Sequence, residues 1–441
     1  MSDLFGIGAS GLRAYSRALA TIGDNIANAQ TPGYARRSLR LQDVQAASNM
    51  TLYQGAVRPG GVEIKGLSRS VDVWLIEDSR LSTGNADRAA TRLDWMNRVE
   101  GALSDETNGI ATGLTKLFTT ADLLTADPSN PTLRAQFLQA ADDVATGFRT
   151  AAGRLSDMAD GVEGAASAEV DRFNTDLAAL EEINIGLRKA RPGSSNEASL
   201  LDERDRLLDR LSGQAGVSAT FDDRGVATLR VTATGDTLVG GGVVTPIAVT
   251  AAPDGRLNFT VGGAPLANAT GSLAGLAEAA DHIADQRAGL DTMATQFANQ
   301  LNAAHQAGVD GNGNPGAALF TGAGAATLTV APLTTGQVAA ATATSSNGNM
   351  LAIGAMRGAN DPETIWSAHL ATQAQATASA RAQDAAATVR ADAASAARGA
   401  VSEVDLDTEA ADLLRFQQAY SAAARTIQVA REAMQTLLSS I

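Results

Sequence analysis

The sequence has no cysteine, and only 4% of its residues are aromatic and 19% charged. Without thiols there can be no disulfide, thiolate nucleophile or Cys-ligated zinc, and the chain suits reducing and oxidising surroundings equally. No stretch approaches the roughly 18 consecutive apolar residues of a membrane span. Basic residues are also in deficit: 34 Lys and Arg against 48 Asp and Glu leave a net charge of -14 and a pI near 4.7. That balance argues against a broad nucleic-acid footprint and against an anionic membrane surface. Residues 1–12 carry neither a basic leader nor an unbroken apolar run, so no cleaved secretion signal is expected. An export route that uses no cleaved signal would leave no such trace.

In place of these features the chain has 43 glycines and long alanine-rich runs. Small side chains let helices approach closely but bury little apolar area each, so a modestly stable monomer that gains from assembly is expected. At 441 residues, about two to four domains are expected. The two ends share a pattern. Leu413, Phe416, Tyr420, Ala423, Ile427, Ala430, Met434, Leu437 and Ile441 follow at steps of three and four, with Leu406 two steps earlier. Phe5, Gly8, Leu12, Tyr15, Leu19, Ile22 and Ile26 do the same at the start. Residues 1–40 hold five Arg against two Asp, +3, and residues 403–441 hold three Arg against six acids, -3. Opposite charge and matching apolar stripes predict two long terminal helices that pair as a coiled coil.

Between the ends the period changes. Asn28 ends the first helix, Pro32-Gly33 makes a turn, and the chain is expected to become extended near Tyr34. Alternation at Val62 and Ile64, and again at Val71, Val73 and Leu75, predicts a pair of strands or an extended arm. Helical spacing then dominates residues 80–211, broken by Pro128 and Pro131; its clearest stripe is Val170, Phe173, Leu177, Leu180, Ile183 and Leu187. Ser194 to Glu197 reads as a capping box. Short alternating runs within residues 217–260, punctuated by Asp-Gly and Gly-Gly turns, predict a small antiparallel module. Helical spacing resumes at Leu273, residues 321–349 read as a hairpin or loop excursion, and the alanine-rich residues 362–400 are helical by propensity. The fold class is therefore mostly α with a β-rich central part and nested domains built from both halves of the chain. The boundaries are residues 1–79 with 403–441 as a terminal coiled-coil core with an extended arm, and 80–216 with 270–402 as a mainly helical middle domain. Residues 217–269 form a small β-rich module and 321–360 a short excursion.

Three motifs suggest chemistry and fail on context. Gly6, Gly8 and Gly11 spell GxGxxG, but no strand precedes the loop, so dinucleotide binding is not expected and close helix packing is. Asp310, Asn312 and Asn314 begin like a calcium loop, but Pro315 stands where glycine is needed and Thr321 where a bidentate Glu belongs. Asp202, Glu203, Arg204, Asp205 and Arg206 read as a solvated or packing face, with Asp202 to Arg206 an i,i+4 pair and Asp205 to Asp209 a like-charge pair. The three histidines, His282, His305 and His369, show no metal spacing. No enzyme activity, cofactor or metal site is expected.

Ser10-Gly11-Leu12 and the run Asn25-Ile26-Ala27-Asn28-Ala29-Gln30-Thr31-Pro32-Gly33-Tyr34 resemble the N-terminal signature of bacterial flagellar rod, hook and hook-associated proteins. Val404-Asp405-Leu406-Asp407, Glu409 to Leu414 and Gln417 to Tyr420 resemble the partner signature at the other end. Gly60-Gly61-Val62, the LDERD segment at 201–205, residues 270–276 and the HQAGVDGNGNPG run are similar to the hook-associated branch next to the hook.

The resemblance implies a structural, motility-related protein sent out through the flagellar type III channel and forming the hook–filament junction. Its site would be extracellular after a transient cytoplasmic stage. The implied partners are further copies in a ring or short helical layer, the hook protein, the neighbouring hook-associated protein on the filament side, and a cytoplasmic export chaperone at the C-terminus. No nucleic acid or membrane insertion is implied. Combined with the apolar spacing, it gives an assembly seam of Leu12, Leu19, Ile22, Ile26, Leu413, Phe416, Tyr420, Ile427, Met434 and Leu437. Its signature residues are Asn25, Asn28, Thr31, Pro32, Gly33 and Tyr34. Residues 321–360 stand where many of these proteins carry an outer β domain, so a slimmer surface is expected. A flagellin-like filament subunit, or a secreted surface adhesin built on the β-rich centre, is the alternative reading.

Overall fold

The computed structural model describes residues 2–44, 60–104, 109–266, 270–357 and 361–439. Helix α1 (Ser2–Ala27) is followed by an antiparallel strand pair, β1 (Arg37–Val44) and β2 (Gly61–Arg69), with Arg37 opposite Arg69. Helices α2 (Val73–Leu103), α3 (Ile110–Ala126), α4 (Pro131–Lys189) and α5 (Ser195–Gln214) come next. Short strands follow: β3 (Val217–Phe221), β4 (Ala227–Val231), β5 (Thr237–Gly240), β6 (Val243–Val244), β7 (Ile247–Ala251), β8 (Leu257–Val261) and β9 (Ala264–Pro265). The remainder is α6 (Ser272–Gln306), the pair β10 (Phe320–Thr321) and β11 (Thr329–Val330), then α7 (Gly348–Gly354), α8 (Pro362–Ser402) and α9 (Leu406–Ser439). The protein is thus mostly helical, with small internal sheets and long helices near both ends.

The chain divides into two compact units. Unit 1 holds Met1–Asn85, Phe173–Pro246 and Thr388–Ile441; unit 2 holds Ala86–Arg172 and Ile247–Ala387. In unit 1, Phe173, Leu177, Leu180 and Leu187 of α4 are buried, as are Leu207, Leu208 and Leu211 of α5 and Leu229, Val231 and Val239 of β4 and β5. Asn184 ties α4 to β4: its Nδ2 donates to the Ala227 carbonyl at 2.9 Å and its Oδ1 accepts the Ala227 N–H at 2.8 Å. The pair satisfies an edge residue's backbone in a buried place, where an open polar group would cost about 1–3 kcal/mol. In unit 2 the core is aromatic and aliphatic. Phe148, Phe297 and Phe320 meet in succession as tilted ring pairs, with centroids 5.9 and 5.1 Å apart, and Phe118, Phe137, Leu114, Leu117 and Leu155 are fully buried. Gly113 of α3 lets that helix approach Val144 of α4, whose backbone and side chain would sit 3.1 Å from an added Cβ.

Several local readings change. Val73 and Leu75 belong to α2 and not to a strand, because the Asp72 carboxylate accepts the N–H groups of Trp74 and Leu75 at 2.9 and 3.2 Å. A capped first turn satisfies donors that an unpaired strand would leave open. The stripe from Val170 to Leu187 belongs to one 59-residue helix that begins at Pro131. Pro131 occupies its first position, where no N–H is needed, and Asn130 Oδ1 caps Thr132 and Leu133. The Ser194 cap is present, accepting Glu197 N–H at 3.1 Å, but the Glu197 carboxylate reaches back to Gly193 N–H at 2.6 Å, one residue earlier than a capping box requires. The alternating centre makes two sheets, β3-β4-β5-β6 in unit 1 and β7-β8-β9 in unit 2; its residues 267–269, like 358–360 of the later excursion and Ile441, lie outside the described residues. The calcium-like run is a closed turn in which Asp310 Oδ1 accepts the N–H groups of Asn312 and Asn314, both at 2.8 Å.

Candidate functional site

In unit 1 the chain's ends meet. Along α1 the buried stripe is Gly8, Gly11, Ala14, Ala18, Thr21, Ile22 and Asn25, spaced mostly by three and four residues. It lies against α9 in antiparallel register. A Cβ on Gly8 would stand 2.7 Å from Ile427 Cγ1, one on Gly11 would stand 3.7 Å from Ala423 Cβ, and Tyr15 meets the Phe416 ring at 6.2 Å. Gly8 and Gly11 of the GxGxxG run therefore face α9, Gly8 at close approach.

At the far end of this contact lies a polar clasp. Asn25 is 1% exposed and Glu409 is fully buried. Asn25 Nδ2 donates to the Arg37 carbonyl at 2.9 Å and to Glu409 Oε2 at 3.0 Å; its Oδ1 accepts the Tyr34 hydroxyl at 2.8 Å and Arg37 N–H at 3.0 Å. One amide thereby fills four hydrogen-bonding positions, its full complement. Arg36 completes the clasp, with Nε on Glu409 Oε1 at 2.6 Å, Nη2 on Asp412 at 3.3 Å and its N–H on the Ser402 carbonyl at 2.8 Å. Burial, opposed by Arg37 and assisted by Asp24, Asp202 and Glu409, pushes the Tyr34 phenol up to about 12, so it remains a donor.

The remaining signature residues shape the turn that brings Tyr34 and Arg36 into place. Asn28 Nδ2 donates to the Asp24 carbonyl, Thr31 N–H to the Asn28 carbonyl and Tyr34 N–H to the Thr31 carbonyl. Gly33 has φ +74°, and a Cβ there would stand 2.5 Å from Arg206 Cγ; Arg206 also donates to the Pro32 carbonyl. Only glycine meets both the left-handed backbone and the crowding.

Behind the turn, α5 presents Asp202, Asp205 and Asp209 to a set of arginines. Arg37 and Arg69 hold Asp202 at 2.6 and 2.8 Å, Arg69 and Arg204 hold Asp205 at 2.7 and 2.6 Å, and Arg80 and Arg398 hold Asp209 at 2.7 and 2.9 Å. Burial alone would raise the Asp205 carboxyl; Arg204, Arg69 and Arg80 outweigh it and keep the group below the usual carboxylate range. Desolvation in turn lowers Arg204. A cavity of about 380 Å³ opens beside this network, lined by the turn, the start of α2 and the end of α8.

The readings from sequence meet this geometry unevenly. Ile22 is buried; Leu12, Leu19, Leu413, Phe416 and Ile427 are half-buried; Ile26, Tyr420 and Met434 are exposed; the Leu437 side chain lies outside the described residues. Asn25 and Tyr34 enter the clasp, while Asn28, Thr31, Pro32 and Gly33 form its supporting turn. The expected Asp202–Arg206 pair is replaced: Arg206 joins Glu203, and Asp202 turns inward to Arg37 and Arg69. Sequence reading missed Arg36, Arg37 and Arg80, and gave Glu409 and Arg69 no part in ion pairing. The available signal was the i, i+3, i+7 spacing of Asp202, Asp205 and Asp209 along the helix that also carries Leu207, Leu208 and Leu211. Among the described residues no group of three or more His, Cys, Asp or Glu could hold a metal ion.

Paired ends joined through signature residues mark the class of flagellar axial proteins, and sequence comparison agrees. Residues 5–34 match the family described as flagella basal body rod protein, and residues 398–440 match the flagellar basal body rod FlgEFG protein C-terminal family. Residues 96–320, about half of the chain, match the flagellar hook-associated protein FlgK helical domain, and the chain belongs to the FlgK family of hook-associated proteins. It is 28% identical over 335 residues to flagellar hook-associated protein 1 of Salmonella typhimurium, an alignment that takes in 73% of this chain and 60% of that protein. The Bacillus subtilis protein of the same description is 25% identical over 218 residues, 48% of this chain and 43% of its own. The chain thus spans about 60% of the length of the enteric relatives it matches. A solved structure, the flagellar hook junction protein FlgK from Burkholderia pseudomallei, aligns with a TM-score of 0.49 and 24% identity, over 55% of this chain and 46% of that one.

Proposed function

We propose that the protein is a structural subunit of the junction between flagellar hook and filament, and that it works by geometry and assembly. The observation that carries this reading is the clasp: the two segments that match flagellar rod families, at opposite ends of the sequence, share the buried Asn25–Glu409 contact. On this reading α1 and α9 form a coiled-coil core that adjoins further copies in a ring or short helical layer, with the remaining domains nested outside it. Leu406, Leu414, Val429 and Leu438 of α9 are exposed, and such apolar side chains suit a helix that loses water only on incorporation. The proposed seam is Leu12, Leu19, Ile22 and Ile26 with Leu413, Phe416, Tyr420, Ile427, Met434 and Leu437.

The same reading gives the hook protein and the next hook-associated protein as neighbours, and type III export with a cytoplasmic chaperone over the C-terminal helix before assembly. The final location is extracellular. Electron microscopy of isolated hooks incubated with the purified protein tests it. A thin layer of limited depth at one hook end, absent with a truncation lacking residues 403–441, is expected. Long filaments, or no binding to hooks, would contradict it.

A further inference from the structure

The turn that joins α4 to α5 carries positive charge with no ion pair to answer it. Residues 183–196 hold Arg188, Lys189 and Arg191 and no acid. Arg188 is paired with Glu181, whereas Lys189 and Arg191 are exposed and their side chains have no partner among the described residues. Two arginines of α1 join them. Arg17 Nη2 donates to the Ser195 hydroxyl at 2.7 Å, which seats it on the turn. Arg13, one helical turn earlier on the same face, is bonded only to the Ala9 carbonyl of its own helix. The carboxylate that closes the turn, Glu197, is occupied by the Gly193 N–H at 2.6 Å. In a chain of net charge -14, four gathered cations without an ion pair mark a surface for an acidic neighbour.

The joint between α8 and α9 has the opposite character. Residues 401–409 hold four acids and no base. Glu409 is consumed by Arg36 and Asn25, and Asp405 caps α9 by accepting the N–H groups of Asp407 and Thr408. Glu403 and Asp407 are exposed, and their carboxylates have no partner among the described residues. Val401 and Leu406, 43% and 52% exposed, stand among them. Glu403 also folds back over Gly399, its Oε1 2.7 Å from where a Cβ would stand. Its charge therefore lies at the C-terminal end of α8, where the helix dipole favours a cation. The two patches are too far apart to satisfy each other within one chain. Arg17 sits on Ser195, the first residue of α5, whereas Arg398, beside Gly399, binds Asp209 at 2.9 Å, about 21 Å further along α5 at 1.5 Å per residue. That is more than twice the ~8 Å over which physiological salt screens charge. Opposite patches set apart along one helix make a heterologous pair, met from copy to copy.

We propose that the Glu403–Asp407 joint of one subunit docks on the Lys189–Arg191 turn of a second copy, with Arg13 and Arg17 of that copy at the rim, as a contact separate from the α1–α9 seam. This inference rests on the proposed assembling function and adds the contact surface. Leu406 replaced by the photo-crosslinker p-benzoylphenylalanine tests it, in the layer formed on isolated hooks and in concentrated full-length protein without hooks. The expected product is a covalent dimer whose second peptide comes from residues 183–197 or 9–20. Two charge reversals made in that protein, Lys189→Glu with Arg191→Glu and Glu403→Lys with Asp407→Lys, are each expected to lower the yield at least tenfold in low salt. Mixed in equal amounts, the two variants present reversed charges to one another, and the yield returns as a dimer that grows no further. Failure to form a layer on hooks with the crosslink intact in solution would strike the junction reading and leave this contact standing. No crosslink in either setting, a crosslink to hook protein or to another region, a reversal without effect, or a mixture no better than its components would overturn the contact.

Discussion

The two units of this chain are held by different chemistry. Unit 1 joins distant parts of the sequence with buried and half-buried charge: Arg36 on Glu409, Arg37 and Arg69 on Asp202, and Arg80 and Arg398 on Asp209. Unit 2 relies on phenylalanine packing and on histidines kept neutral by burial. His305, with no exposed surface, is held between the Ala317 carbonyl at Nδ1, 2.6 Å, and the Ala339 N–H at Nε2, 3.0 Å. The second bond requires Nε2 to be an acceptor, which fixes the neutral Nδ1–H form. Buried ion pairs contribute little net stability over an apolar replacement, but losing one partner is costly. Unit 1 is therefore selective about which groups meet, and unit 2 is simply well packed.

That contrast can be broken at single residues. Asp205→Ala removes the shared acceptor of Arg69 and Arg204, leaves buried guanidinium charge uncompensated, and is expected to destabilise unit 1 by about 3–5 kcal/mol. Phe297→Ala opens a cavity between Phe148 and Phe320 and is expected to cost unit 2 a similar 3–5 kcal/mol. Denaturant unfolding followed by hydrogen exchange, read peptide by peptide, separates the two: each change should lower protection in its own unit first. Equal loss of protection in both units after either change would erase the distinction.

Acid sharpens the comparison. His282, His305 and His369 all have their pKa values lowered from 6.5, chiefly by burial. The unfolded chain then binds protons that the folded unit does not, so their contribution is complete above about pH 6.5 and declines as pH falls toward the folded values. Each such histidine contributes a slope of about 1.4 kcal/mol per pH unit inside that window. Asp205 is lowered instead, so its contribution is lost only as pH falls below 3.8 toward the folded value. Unit 2 should therefore begin to lose exchange protection as pH falls below about 6.5, where the Asp205 ion pairs of unit 1 persist, and His305→Gln, which keeps a neutral polar group, should weaken the dependence. Prior loss of unit 1 on acidification would contradict this. The smallest effect belongs to the surface: Lys116→Ala removes a half-exposed 3.5 Å pair with Asp143 and should shift stability by less than about 1 kcal/mol.

Much of this architecture was legible in the sequence, and the remainder fails for identifiable reasons. Terminal helices, the capped start of α5, the turn at Pro32-Gly33, the close packing at Gly8 and the polar turn at Asp310 all follow from spacing and local chemistry. The apolar periodicity pointed to Leu12, Leu19 and Ile26, yet the inner stripe of α1 keeps only Gly8 and Ile22 of that seam and otherwise lies one residue earlier, at Gly11, Ala14, Ala18 and Asn25. Close helix approach favours small side chains, and a hydrophobicity pattern weights large ones. Asp202 and Asp205 read as a solvated or packing face with no choice between the two, because their partners, Arg37 and Arg69, lie more than a hundred residues away. Long-range ion pairs leave no local period. Val73 and Leu75 alternated like a strand because the Asp72 cap outweighs two β-branched or aliphatic positions.

The central claim is the antiparallel meeting of α1 with α9, and the absence of natural cysteines makes it directly testable. A Cβ at position 11 lies 3.7 Å from the Ala423 Cβ, within the ~3.5–4.5 Å range that a disulfide spans. In the double variant Gly11→Cys, Ala423→Cys, mild oxidation should close an intramolecular bond, seen as a two-dalton mass loss and a single linked peptide pair. Two thiols that remain free, or bonds that form only between chains, would contradict the account.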